Sequence, residues 1–292
     1  MRLHFKDGTE RLTWAYPNLS RQLKKCAAYI LDHPSDVATL SMRQVASRAG
    51  VPPSTMHRLA RTLGFDTYDQ FRDIYRNGVN DFSVGYPQKA GQLQAVVGDS
   101  DFDHALDTFH LAASTNIDGL FHNIDRDAMK RAIDALSAAR NVVVVGMRSS
   151  YSFANYFHYV AAMGLRNWHL VTRRNGELSD RLEGLASADV VIGIALKPCA
   201  ADTIKVAKRA HESGVRVIGI TDSRTSPLAV YSSCVLITPV QSPSFFESYV
   251  ATAALVEVLV GMVVARGDKS IIKNIDNLER CRREMGEYWL DD

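Results

Sequence analysis

The 24 residues SMRQVASRAGVPPSTMHRLARTLG, Ser41 to Gly64, hold the strongest local signal in the chain. Their spacing predicts two short helices, Ser41–Ala49 and about Pro53–Leu63, separated by a tight turn at Gly50. Ala46 is small enough to let two helices cross closely, and Gly50 can take the positive φ such a turn demands. Val51 is placed to plug the corner, with Met56 and Leu59 turned toward a core. Pro53 suits a first helical turn, where no N–H is needed. This is a helix-turn-helix arrangement, whose second helix lies in the major groove of DNA. An ordinary αα-hairpin capping another domain shares the gross pattern.

On the second helix, Ser54, Thr55, His57, Arg58 and Arg61 are predicted to face outward. Ser54, Thr55 and His57 could reach base edges, while Arg58 could read guanine or hold a phosphate. Arg43 and Arg48 are better placed to grip backbone phosphates. Charge placement agrees. Met1–Asn80 carries 12 Lys and Arg against 7 Asp and Glu, and Val37–Phe65 has four arginines and no acid, although the whole chain is only +2. A basic N-terminal part on a mildly acidic remainder is a common footprint of nucleic-acid binding. A solvated basic face without a partner is the plainer alternative. Upstream, Leu19, Leu23, Cys26, Ala27, Ile30 and Leu31 mark one face of a further helix, which Ser20 can cap and His33-Pro34 ends.

The length of 292 residues suggests two domains, and 46% hydrophobic with 23% charged residues is the composition of a folded protein. The expected division is a helix-turn-helix domain over 1–80, a linker over 81–100 punctuated by Gly85, Pro87, Gly91 and Gly98, and an α/β domain with flanking helices over 101–292. No apolar run approaches the ~20 residues of a membrane span; Ala251–Ala265 is shorter and broken by Glu257. The N-terminus, Met1 to Asp7, lacks an apolar signal core, so a cytoplasmic protein without membrane contact is expected. Four dispersed cysteines (Cys26, Cys199, Cys234, Cys281) and nine histidines without an HxxxH pair point to no metal, no disulfide framework and no cofactor.

Past the linker, Phe102, Ala105, Leu106, Phe109, Ala113, Ile117, Leu120 and Ile124 form the stripe of a long amphipathic helix, and Asp125 or Asp127 caps the next. The chain then alternates. Apolar runs at Val142–Val145, Trp168–Val171, Asp189–Leu196, Val215–Thr221 and Cys234–Ile237 are separated by helices at about Ser150–Ala162 and Ala201–Ser213, and Phe245–Val264 is a last apolar helix. Apolar strands separated by helices imply a parallel sheet covered on both faces. The fold class is therefore an all-α head joined to a doubly wound α/β domain, with ligands at the carboxyl ends of the strands. Farther on, Ile271, Ile275, Leu278, Met285 and Trp289 form a stripe that could cover the sheet domain or a second subunit.

The first strand leads into Gly146-Met147-Arg148-Ser149-Ser150, where hydroxyls, a cation and free N–H groups at a helix start suit an anion. A dinucleotide is disfavoured: there is no GxGxxG, and Leu170-Val171-Thr172-Arg173-Arg174 stands where an acid should bind ribose. Glu247, His158 and His211 form no acid/base constellation, and Glu247 reads as an acid at a helix N-terminus, so no catalytic residue is assigned.

The run Leu40-Ser41-Met42, Val45-Ala46, Ala49-Gly50-Val51, Ser54-Thr55, Arg58-Leu59, Leu63-Gly64-Phe65, Tyr68 and Phe71 resembles the N-terminal domain of the RpiR (MurR/RpiR) family of bacterial transcription regulators. Its Leu-Gly-Phe-x-x-Tyr-x-x-Phe tail is the specific part. Family members join this domain to a sugar isomerase (SIS) domain, and residues 127–265 resemble one. The resemblance places Ser149 and Ser150 at sugar-phosphate positions. The second ligand loop departs from the family's Ser-x-Ser-Gly-x-Thr: Ala195, Lys197 and Ala200 lack its hydroxyls, Pro198 replaces its glycine, and Thr203 alone keeps a polar group in register. With Arg148 and Lys197 supplying charge, the expected effector is an anionic or polyol carbohydrate metabolite, a sugar phosphate or sugar acid, contacted by Arg148, Ser149, Ser150, Lys197, Thr203 and Glu247. The partners implied are operator DNA, that effector, and a second copy in a homodimer or dimer of dimers. A sugar-phosphate isomerase with a helical accessory domain is the alternative.

Overall fold

In the computed structural model of the chain, Ser41 starts the first of the two short helices with a reciprocal cap. Its hydroxyl accepts from the Gln44 N–H at 3.4 Å, and its own N–H donates to Gln44 Oε1 at 2.9 Å. The structure describes residues 12, 15–16, 19–32, 36–37, 40–73, 75, 85–98, 102–172, 177–180 and 182–289. The first seven residues, His33-Pro34, parts of the expected linker and Arg173-Arg174 lie outside them. The chain divides into two compact units, 1–92 and 93–292.

The first unit contains α1 (Arg21–Asp32), α2 (Met42–Arg48) and α3 (Pro53–Thr62). Gly50 has φ of 61°, and Val51 N–H returns to Ala46 O at 3.0 Å, closing the turn between α2 and α3. Val45, Ala46, Met56, Leu59 and Ala60 bury against Leu23, Cys26, Ala27 and Ile30 of α1. The Cys26 thiol donates to Met56 Sδ at 3.0 Å, and burial pushes its pKa up to about 12. Phe65, Tyr68 and Phe71 join this core, with Phe71 touching the rings of Phe65 and Tyr68 at 5.6 and 5.9 Å. The signature tail after α3 is therefore core, each such side chain contributing about 1.5–3 kcal/mol by burial.

Helix α4 (Tyr86–Val97) runs through the stretch where the units divide. The second unit contains α5 (Phe102–Asn123), α6 (Arg126–Ala138), β1 (Val142–Gly146), α7 (Ser150–Ala162), β2 (Trp168–Leu170), α8 (Glu177–Asp180), β3 (Val190–Ile194), α9 (Ala201–Glu212), β4 (Arg216–Thr221), α10 (Pro227–Val230), β5 (Cys234–Ile237), α11 (Val250–Arg266) and α12 (Lys269–Glu284). Asp125, rather than Asp127, caps α6, its carboxylate accepting from Ala128 N–H at 2.9 Å.

All five strands are parallel, in the order β2-β1-β3-β4-β5, with Val142 opposite Val190 and Val190 opposite Arg216. Period-2 alternation splits them cleanly. Val142, Val144, Ile192, Ile194, Ile218 and Ile220 face the layer of α6, α7 and α11; Val143, Val145, Val191 and Val217 face α9 and α10. The chain winds outward both ways from β1 and β3, so their carboxyl-end loops part and leave a crevice.

Some elements differ from expectation. The last apolar helix begins at Val250, not Phe245, because Ser242 turns back on Ser244 N–H and Ser248 N–H is taken by Val240 O at 3.1 Å. Glu247 thus precedes the helix and is not an acid of its first turn. Of the stripe of α5, Leu120 alone is buried, while Phe102 and Leu106 are exposed. On the C-terminal stripe Ile271 is buried, but Met285 and Trp289 lie past α12 and are exposed, Trp289 at 92%. Among the described residues, no single helix is long and apolar enough to cross a membrane.

At the amino ends of the strands, opposite the crevice, Asp189 joins the starts of β1 and β3. Its carboxylate, fully buried, accepts from Arg140 Nε at 2.9 Å, Asn141 N–H at 3.1 Å, Asn141 Nδ2 at 3.0 Å and Ala186 N–H at 2.7 Å. The Arg140 guanidinium holds this carboxyl down at about 2, against the burial that would raise it. Replacement Asp189→Asn is expected to lower unfolding free energy by about 2–4 kcal/mol in urea titrations. Because its folded pKa is depressed, the contribution of Asp189 is complete above about pH 4 and disappears as pH falls toward 2. The variant's stability should lack that part of the wild-type acid dependence. In the first unit, Gly50→Ala should destabilise by about 1–2 kcal/mol, since a Cβ at positive φ is strained; thermal denaturation followed by far-UV circular dichroism checks it.

Candidate DNA-binding face and ligand site

Ser54, His57, Arg58 and Arg61 are exposed on α3, and Arg43 is exposed on α2. Thr55 is not: it is only 4% exposed. Thr55 lies one turn before the buried Leu59, so the helical period carries it inward with Met56. Arg48 is exposed but already engaged, its Nη1 lying 3.0 Å from Asp36 Oδ2, which also accepts from the Tyr29 hydroxyl. Spacing gave no hint of that partner. Nor did it show Lys25, which crosses from α1 and donates to Gly50 O at 3.1 Å, steadying the turn before α3. His57 meets the edge of the buried Tyr68 ring at 6.3 Å, so the tail core also supports the exposed face.

In the second unit the crevice is walled by the loop after β1 and the loop after β3. Gly146 ends β1 because nothing larger fits: a Cβ there would stand 2.7 Å from Ser150 O and 3.0 Å from Ala154 Cβ. Arg148 follows with φ of 58°, a left-handed conformation uncommon outside glycine, and its side chain is exposed. Ser149 is exposed and Ser150 is buried, and both hydroxyls bond the Tyr249 hydroxyl, at 2.8 and 3.0 Å. Thr203 is fully buried at the start of α9. Its hydroxyl accepts from Met147 N–H at 3.1 Å and so ties the two loops together across the crevice.

The loop after β3 includes a cis peptide between Lys197 and Pro198. Lys197 is half-buried beside Asp222 at the end of β4. Burial raises the Asp222 carboxyl, while the Lys197 ammonium and backbone N–H pull it back down. Cys199 lies 3.6 Å from Ser226 Oγ, and burial raises its thiol. Glu247 is half-buried in the irregular segment ahead of α11. The structure thus brings Ser149 and Ser150 together through Tyr249, joins Thr203 to the first loop through Met147, and sets Lys197 against Asp222. Tyr249 and Asp222 were not singled out from the sequence.

Neither histidine considered for acid/base chemistry stands at these loops. His211 is in the last turn of α9, about 15 Å along the helix from Ala201, and lies against the Tyr231 ring. His158 is two turns into α7 from Ser150. Among the described residues no group of His, Cys, Asp and Glu is arranged to hold a metal ion.

Known proteins agree with both halves. Residues 6–74 match the helix-turn-helix domain of the rpiR family, and residues 135–262 match the SIS domain, more than half of the chain between them. The chain is 25% identical to the HTH-type transcriptional regulator HexR of Escherichia coli, with 97% of this chain and 95% of HexR covered. It is 22% identical to an uncharacterized HTH-type transcriptional regulator of Thermotoga maritima, covering 96% and 99%. Among solved structures, the sugar isomerase domain of an RpiR transcription factor from Sphaerobacter thermophilus superposes with a TM-score of 0.57 at 23% identity, covering 60% of this chain and 98% of that one. The NanR protein of Vibrio vulnificus, complexed with ManNAc-6P, gives 0.57 at 19% identity over 96% and 99%. The paired domains, in this order, make the chain a member of the RpiR family of helix-turn-helix transcriptional regulators, a regulator and not an enzyme.

Proposed function

We propose that this regulator controls carbohydrate-metabolism genes from the cytoplasm and is itself controlled by an anionic sugar-type metabolite held between the β1 and β3 loops. The observation that carries the effector reading is the pairing of Ser149 and Ser150 around one oxygen, beside the Arg148 cation, at the crevice where the winding of the sheet reverses. The effector's anionic group belongs at this first loop. The second loop offers little to it: Thr203 is turned to Met147, and the charge of Lys197 is shared with Asp222. Lys197 and Asp222 together suit the hydroxyls of a polyol body, since an ammonium donates and a carboxylate accepts. Glu247, half-buried two residues before Tyr249, is the remaining candidate contact. ManNAc-6P, with which NanR was solved, belongs to the proposed class.

On the DNA side, Ser54, His57 and Arg58 read bases from the start of α3, and Arg61 and Arg43 hold phosphates. Arg48 contributes less, because Asp36 neutralises it. A homodimer, or a dimer of dimers, would present two α3 helices to a palindromic operator. The effector acts by binding the DNA-competent and incompetent states with different affinity.

Fluorescence anisotropy on the protein's own upstream region, across a salt series, tests this. Arg58→Ala is expected to weaken operator binding by about 1–3 kcal/mol, and Arg61→Ala to reduce the slope of log K against log salt by about 1. Thr55→Val should leave sequence preference unchanged. Binding equal to that of unrelated DNA at low salt, with and without sugar phosphates and sugar acids, would remove the operator reading. Turnover of aldose phosphates by the purified protein is not expected.

A further inference from the structure

We propose that Tyr249 is a displaceable occupant of the effector site: its hydroxyl fills the place that one anionic effector oxygen takes between Ser149 and Ser150, and its departure is passed to α5 through Asn116. This rests on the reading of the first loop as the effector site.

The Tyr249 hydroxyl stands 2.8 Å from Ser149 Oγ and 3.0 Å from Ser150 Oγ, the arrangement of a single ligand oxygen held by two hydroxyls. A phenol carries its own proton and is neutral. A phosphate or carboxylate oxygen carries none, accepts from both serines, and forms the stronger charge-assisted bonds. The adjacent Arg148 favours the anion further. Tyr249 is therefore suited to hold the two serines in place and to yield to a charged ligand. Its ring lies parallel to Phe153 on α7, 4.4 Å away with an interplanar angle of 7°, so the apolar part of the side chain keeps a partner independent of the hydroxyl.

The backbone around Tyr249 leads inward. Ser248 N–H donates to Val240 O at 3.1 Å. The neighbouring Gln241 is bonded at both backbone groups by one side chain: Asn116 Nδ2 donates to Gln241 O at 2.6 Å, and Gln241 N–H donates to Asn116 Oδ1 at 3.0 Å. Asn116 is fully buried on α5. A buried polar side chain doubly fixed to a loop is an arrangement with few alternatives, so movement of that loop is felt by the helix. Tyr249 also immediately precedes α11, which packs against α5.

The test uses the full chain, with inorganic phosphate, D-glucose 6-phosphate and D-gluconate as probes in calorimetric titrations. Tyr249→Phe keeps the ring stacked and removes the competing oxygen. At least one probe is expected to bind Y249F about 5-fold or more tighter than wild type. Hydrogen exchange along residues 112–120 should change when that probe binds wild type and stay unchanged when it binds Y249F, which has no tyrosine hydroxyl to displace. Equal or weaker binding to Y249F, or no binding of any probe to either protein, overturns the proposal. Loss of binding in Ser149→Ala and Ser150→Ala alongside unchanged affinity in Y249F would overturn displacement and leave the site standing. Undiminished binding in both serine variants would remove the site and the proposal together.

Discussion

Everything at the crevice depends on how β1 is held against β3, and a single carboxylate holds them at the far end. Asp189 takes five donors from Arg140, Asn141 and Ala186, so the two strands start in fixed register, and Val142 stands opposite Val190. A one-residue slip there would turn Val143 and Val145 into the wrong layer and carry Ser149 away from Tyr249. Burying a carboxylate is unfavourable unless its lone pairs are satisfied. Here they are satisfied by groups belonging to the element being positioned, which makes the same bonds a source of stability and of alignment.

Much of the fold was legible because its causes are local. The α2–α3 pair follows from the Ser41 cap, the Gly50 turn and Pro53, all within a dozen residues. The strands were visible as apolar runs because both faces of a parallel sheet are covered. The differences lie where one local cue is overridden by another. Thr55 has a polar side chain yet stands one helical turn before Leu59 and is buried with it. The final apolar helix starts only at Val250 because Ser242 and Ser248 make turns that hydrophobicity does not register.

The candidate site was half legible for a related reason. Strand ends can be located from sequence, so the loops that carry Ser149, Ser150 and Lys197 are visible there. What those side chains touch is decided by residues far away: Tyr249 is 100 positions from Ser149, and Asn116 is 125 from Gln241. No pattern within either stretch announces such a pairing. Thr203 shows the reverse, a residue whose place in the family motif was recognised while its bond to Met147 could not be.

The left-handed backbone of Arg148 sets two demands in opposition. A glycine would adopt φ of 58° without strain and would relieve the loop. It would also remove the only cation on the first loop between Gly146 and Ser150. The position therefore combines a small loss of stability with a charge, and relaxing this turn with glycine would raise stability while stripping the loop of that charge.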